Sequence, residues 1–300
     1  MRVLLTNDDG IHAPGITALF EALTTAPPAS TDSSASPLVK RDDVLVVAPL
    51  TVQSATGHGI TYRHPLLISE VEVTSSMRGI AVDGRPADCV KLALSALWAD
   101  RFGPGTRPDL VLSGMNMGAN VGINVLYSGT VAAALEAAFL GVPAIAVSLH
   151  HGRSVPRYDV AARHGVAAIR RILAAELLLA HGCMNINVPM TDAEGPTPPM
   201  RVCAMNTHGA IDAFERRVNP LRETYFWSAG TPMDFHATEA GSDVQLIHEK
   251  VMTLTPLKYD LTDHGTMEQW RAALGEGARR NGAAAQDSGA DRNPRRATRE

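Results

Sequence analysis

Two aspartates stand side by side near the start of the chain, in Leu4-Leu5-Thr6-Asn7-Asp8-Asp9-Gly10, where an apolar stretch of strand type ends in carboxylates and a glycine turn. Ligands of open α/β sheets bind beyond the carboxyl ends of strands, so a pair in this place faces a binding crevice. Carboxylates this close repel unless a cation lies between them, and hard divalent ions such as Mg²⁺ or Mn²⁺ prefer oxygen ligands. A solvated Asn-Asp-Asp-Gly turn is the alternative.

A second group follows the apolar run Leu110-Val111-Leu112. It reads Ser113-Gly114-Met115-Asn116-Met117-Gly118-Ala119-Asn120, and Tyr127-Ser128-Gly129-Thr130 then opens a helix. Glycines let backbone amides approach a ligand, and Asn116 and Asn120 offer amide oxygens and nitrogens to a metal or a phosphate. At Ser128-Gly129-Thr130 the free amides and dipole of a helix start favour a phosphate, although a plain Ser/Thr N-cap reads the same way. In the loop Ala48 to Gly59, Ser54 could give a hydroxyl ligand, and His58 a proton donor or a phosphate contact. Loops after three different strands would then meet at one sheet edge.

Those loops need a scaffold, and the chain supplies one. Val3 to Leu5, Val44 to Ala48, Leu110 to Leu112 and Ala144 to Val147 are apolar runs of strand length, the mark of a parallel sheet buried on both faces. Helices are expected over Ile16 to Leu23, Ala87 to Trp98, Val131 to Leu140 and Val160 to Leu179, the third stopped by Gly141-Val142-Pro143. This alternation predicts a Rossmann-like, doubly wound, mostly parallel sheet in a three-layer α/β/α sandwich, one domain over 1–270. Residues 24–36, rich in Ser, Thr, Pro and Ala, read as a flexible insertion, and 203–256 as a hairpin-bearing extension with strands at Arg201 to Met205, Thr224 to Trp227 and Val251 to Leu254. The arginine-bearing stretch 277–300 has almost no apolar residues and reads as a disordered, solvated tail.

Composition narrows the classes. With 27 Lys+Arg against 31 Asp+Glu among 300 residues, a net charge of -4 gives no basic field to draw nucleic acid or anionic membrane. Three cysteines without C-x-x-C spacing argue against a disulfide framework or zinc knuckle. No apolar stretch reaches about 18 residues and no signal-peptide pattern precedes Asp8, so a cytoplasmic location is expected. The chain also lacks the G-x-x-x-x-G-K-S/T phosphate loop, the G-x-G-x-x-G dinucleotide fingerprint, H-E-x-x-H and G-x-S-x-G.

Taken together, Asn7 to Gly15, Ser113 to Asn120 and Tyr127 to Ala134 closely resemble the motifs of the SurE family of 5′/3′-nucleotidases. The similarity extends to Pro86-Ala87-Asp88-Cys89-Val90 and Asn185-Ile186-Asn187-Val188-Pro189, and more loosely to Thr253 to Leu257. The resemblance implies a metal-dependent phosphomonoesterase acting on nucleoside 5′- and 3′-monophosphates, with some action on short polyphosphate. It implies one divalent ion, Mg²⁺ or Mn²⁺, held by Asp8, Asp9, Ser54 and Asn116. Phosphate would be recognised by Asn120, Ser128, Gly129 and Thr130, and subunits would pair as homodimers or homotetramers through the C-terminal hairpin. Two positions depart from the family pattern: Ala55 stands where a glycine often follows the metal serine, and Arg85 where a threonine is usual.

The expected reaction is hydrolysis by a water activated at the ion, with Asp8 and Asp9 at the centre, Asn120 and the Ser128-Gly129-Thr130 amides on the equatorial oxygens, and His58 assisting the leaving oxygen. Two rivals are a phospho-receiver, which needs a third strand-end aspartate and a lysine near the fifth strand, and a scaffold that binds metal without turnover.

Overall fold

The computed structural model describes residues 1–27, 36–152, 155–191, 194–230 and 233–275. Most of the 24–36 insertion and the whole 277–300 tail lie outside the described residues. One compact unit runs from Met1 to Tyr259; the second begins at Asp260, and its described part holds the helix His264–Ala273.

The first unit is built on a nine-stranded sheet. In chain order the strands are β1 (Val3–Thr6), β2 (Val44–Pro49), β3 (Ile68–Thr74), β4 (Met77–Val82), β5 (Leu110–Met117), β6 (Ala144–Leu149), β7 (Cys183–Val188), β8 (Met200–Val202) and β11 (Met252–Leu257), and they lie in the order β3-β4-β2-β1-β5-β6-β7-β11-β8. The pairs β4/β2, β2/β1, β1/β5, β5/β6 and β6/β7 are parallel, while β3 and β11 run antiparallel to β4 and β7. Strands β9 (Phe214–Val218) and β10 (Thr224–Ser228) form a separate antiparallel hairpin.

Helices cover both faces, as the doubly wound reading requires. Helix α1 (Pro14–Thr24) buries Ile16, Leu19, Phe20 and Leu23, the i, i+3, i+4, i+7 stripe of an amphipathic helix. It packs with α5 (Tyr158–Ala174) over Val3, Leu5 and Leu112. On the other face, α2 (Pro86–Leu92) and α4 (Gly129–Phe139) pack over Leu4 and Val111. Successive side chains of β1 thus enter opposite cores, which is why its sequence is apolar without alternation.

Several boundaries differ from expectation. The helix expected over Ala87 to Trp98 is broken into α2 and α3 (Trp98–Phe102) by a wider π turn at Ala93–Leu97. Helix α5 stops at Ala174, short of Leu179, and Glu176 takes the left-handed conformation. Strands β3, β4 and β7 were not foreseen: Glu70 and Glu72 interrupt the first of these, and Asn185 and Asn187 the last. In the C-terminal extension, β8 and β11 join the main sheet, and only 214–228 forms the hairpin.

Candidate metal centre and phosphate site

The chain winds from β1 outward to β2 and β4, then returns to lay β5 against the other side of β1. The crevice beyond β1 and β5 is therefore the topological switch point, where open α/β sheets bind ligands. Asp8 and Asp9 follow β1 there, and Asn116 arrives from β5. Asn116 belongs to the strand itself, not to a loop after Leu112. The β5/β6 register shifts between Gly114 and Asn116. Gly114 makes this possible: its φ is +142, and a Cβ on it would lie 2.2 Å from the Val147 carbonyl oxygen.

Asp8 is 4% exposed and is held by the start of α4, where the Thr130 hydroxyl donates to its Oδ1 at 2.5 Å. The chain approaches closely at this point. A Cβ on Gly129 would lie 2.9 Å from Asp8 Cβ and 3.0 Å from Oδ2, so only glycine lets the helix N-terminus meet the carboxylate. Asp9 Oδ2 accepts the Met117 N–H at 3.0 Å, which ties it to the end of β5. Asn116 donates from Nδ2 to the Gly118 carbonyl at 2.7 Å, and that contact orients its Oδ1 away as an acceptor. Among the described residues, no side chain claims the remaining Oδ2 of Asp8, Oδ1 of Asp9 or Oδ1 of Asn116.

The electrostatics favour a cation. Burial pushes the Asp8 carboxyl up to about 6, the Thr130 hydroxyl opposing this and the Asp9 charge adding to it. Burial also raises Asp9, against the Met117 N–H. Uncompensated, the pair resists carrying two charges; a divalent ion removes that penalty. The oriented oxygens of two carboxylates and an amide form the hard donor set that Mg²⁺ or Mn²⁺ takes, so the residues present fit such an ion. Among the described residues no three His, Cys, Asp or Glu cluster as metal ligands.

Ser54 is the candidate for a further ligand. It is exposed, and its loop is hooked to the pair by the Gln53 N–H, which donates to the Asp8 carbonyl at 2.8 Å. Ala55 takes φ 56, the left-handed conformation in which glycine is at ease and alanine is not.

The phosphate candidates divide their duties. Ser128 is the N-cap of α4, its Oγ accepting from Val131 N–H at 3.1 Å, and Thr130 is fully buried with its hydroxyl committed to Asp8. Asn120 is buried and clamped: its N–H donates to Asn187 Oδ1 at 2.7 Å, its carbonyl accepts from Asn185 at 2.8 Å and Asn187 at 3.1 Å, and its Nδ2 donates to Ser148 at 2.8 Å. These partners in β6 and β7 had no role in the sequence reading. Nor did Tyr158, whose hydroxyl is pushed up to about 12 by burial and by the nearby Asp9 charge. A lone tyrosine at a helix start carries no signal of its own.

The structure gives His58 partners within the protein. Its Nε2 pairs with Glu136 Oε2 at 2.8 Å and its ring stacks on Phe139 at 4.9 Å, so it is engaged along α4. Six residues of helix, fewer than two turns, separate Glu136 from Thr130, about 9 Å of rise. Arg85 is exposed at the start of α2, with its guanidinium lying over Gly59.

Fold and site define a class: a doubly wound α/β protein with two carboxylates, an amide oxygen and a helix N-terminus gathered at its topological switch point. Residues 3–210 match the family model described as Survival protein SurE, and the chain belongs to that family. It is 39% identical to the 5′-nucleotidase SurE of Heliobacterium modesticaldum, over 93% of each chain. It is 38% identical to 5′-nucleotidase SurE 1 of Thermus thermophilus, over 89% of this chain and 96% of that one. The crystal structure of the SurE protein from Aquifex aeolicus superposes with a TM-score of 0.70 at 30% identity, covering 91% of this chain and all of that one.

Proposed function

We propose that this protein is a metal-dependent 5′-nucleotidase that hydrolyses nucleoside 5′- and 3′-monophosphates, and to a lesser degree short polyphosphate, to release phosphate. The observation that carries the reading is the buried Asp8, held by the N-terminus of α4 beside Asp9 and Asn116. The curated relatives bear the name 5′-nucleotidase over nearly the whole chain. Neither a phospho-receiver nor an inactive scaffold has an observation in its favour.

Asp8, Asp9 and Asn116, with Ser54, would hold one Mg²⁺ or Mn²⁺ ion per subunit. When bound, such an ion supplies Lewis-acid polarisation of a phosphate oxygen and a water acidic enough to attack phosphorus at neutral pH. The chain supplies position and field. The Gly129 amide, the α4 dipole and the Ser128 hydroxyl hydrogen would face the equatorial oxygens, with Asn120 beside them, while the Thr130 N–H bonds Asp8. The Thr130 hydroxyl also orients Asp8.

Homodimers or homotetramers are proposed through the β9–β10 hairpin, which exposes Phe214, Phe226 and Trp227. No helix among the described residues is long and apolar enough to cross a membrane, in keeping with action on soluble nucleotides. Phosphate release from a panel of nucleoside 5′- and 3′-monophosphates, with Mn²⁺ and then with EDTA, tests the reading. Metal-dependent release from several nucleotides, abolished by Asp8→Asn in a folded protein, is expected. Undiminished release by that variant refutes the scheme.

A further inference from the structure

Residues 50–67, between β2 and β3, have no regular structure of their own, yet carry Ser54. Ser54 and Ala55 lie between two anchors. On one side the Gln53 N–H donates to the Asp8 carbonyl at 2.8 Å, and Thr56 Oγ1 closes a turn onto the Gln53 carbonyl at 2.9 Å. On the other, the Gly57 N–H donates to the Tyr127 carbonyl at 3.0 Å and the His58 ring is bound to α4. The second anchor is built around a carboxylate whose side chain is only 5% exposed: Glu136 takes His58 Nε2 at 2.8 Å on one oxygen and Lys91 Nζ, from α2, at 3.0 Å on the other. Phe139 stacks flat on the imidazole, 3° from parallel, and Tyr259 packs edge-on against Phe139.

A buried carboxylate needs its partners, and hydrogen bonds to charged groups are among the stronger ones. A loop of this length also loses much conformational entropy when ordered. We propose that His58, clamped by Glu136, Lys91 and Phe139, is a latch that holds Ser54 at the carboxylate pair and so sets the affinity of the cation site. His58 is thus a positioning residue. The inference rests on the metal reading above, and two of its readouts need no turnover.

The experiment compares His58→Ala and His58→Gln with the wild-type full chain. Mn²⁺ binding is measured by calorimetric titration without substrate, and loop release by tryptic cleavage after the exposed Arg63 in the metal-free protein. Asp8→Asn serves as the control for the site. His58→Ala should weaken Mn²⁺ binding by about ten-fold and speed cleavage by a similar factor, the scale set by losing one hydrogen bond to a charged group. His58→Gln restores a side-chain N–H donor and should bring both within about three-fold of wild type. If His58→Ala binds Mn²⁺ like the wild type while Asp8→Asn does not, the latch is wrong and the metal reading stands. If Asp8→Asn binds Mn²⁺ as tightly as the wild type, the metal reading fails and takes the latch with it.

Discussion

At the scale of single residues, the centre depends on which atom each polar group has already committed. Asn116 uses its nitrogen on Gly118 and keeps its oxygen, Asp9 uses one oxygen on Met117, and Asp8 uses one on Thr130. Ala55 shows the opposite case, a residue whose backbone works against its side chain. At φ 56 its Cβ crowds the carbonyl, a cost of roughly 1–2 kcal/mol that glycine avoids. Glycine also adds entropy to the unfolded chain, offsetting about half of that gain. Ala55→Gly should therefore raise stability by about 0.5–1 kcal/mol, where most alanine-to-glycine changes lower it; urea denaturation reads the sign. A loss of stability would show that the loop is not held in this conformation.

At the scale of elements, the strands hold the loops, and other strands hold those. Asn185 and Asn187 sit in β7, beyond β5 and β6 from β1, yet they fix the backbone of Asn120 on both its N–H and its carbonyl. The β9–β10 hairpin has no such support. All ten of its strand residues are exposed, Phe226 and Trp227 among them, and a lone two-stranded hairpin is at best marginally stable in water. Pairing with a second copy would give those side chains a dry surface. Phe226→Ser with Trp227→Ser is expected to reduce a dimer or tetramer to monomers by light scattering, with the Mn²⁺ affinity of the centre retained. An unchanged mass would exclude the hairpin as the contact.

For the whole molecule, the centre couples charge to stability. Asp8 is raised to about 6 in the folded chain, above its unfolded value, so the folded state holds the proton more tightly. Stability from this group is full below about pH 4 and lost as pH rises toward about 6, on the order of 3 kcal/mol. A bound divalent ion reverses the preference by favouring the ionised carboxylate. EDTA-treated protein should therefore gain little from Mn²⁺ at pH 4.5 and much at pH 7.5. Differential scanning calorimetry of wild type and Asp8→Asn at both pH values checks this; an equal Mn²⁺-induced rise in Tm at both, or one that persists in Asp8→Asn, contradicts it.

Elements whose signal is local could be read from the amino-acid order alone. The apolar runs of β1, β2, β5 and β6 and the stripe of α1 are of this kind, because burial on two faces or on one stripe leaves a pattern within a few residues. Asp8, Asp9 and Asn116 stand out as candidates for the same reason, following the apolar runs of β1 and β5. Other features depend on partners far along the chain, and only the folded molecule settles them. His58 reads as a single loop residue until Glu136 is seen beside it, Thr130 as a free hydroxyl until Asp8 accepts it, and Asn187 as a poor strand residue until Asn120 lies against it. In each case one polar group was free to serve several ends, and only packing chose which hydrogen bond it makes.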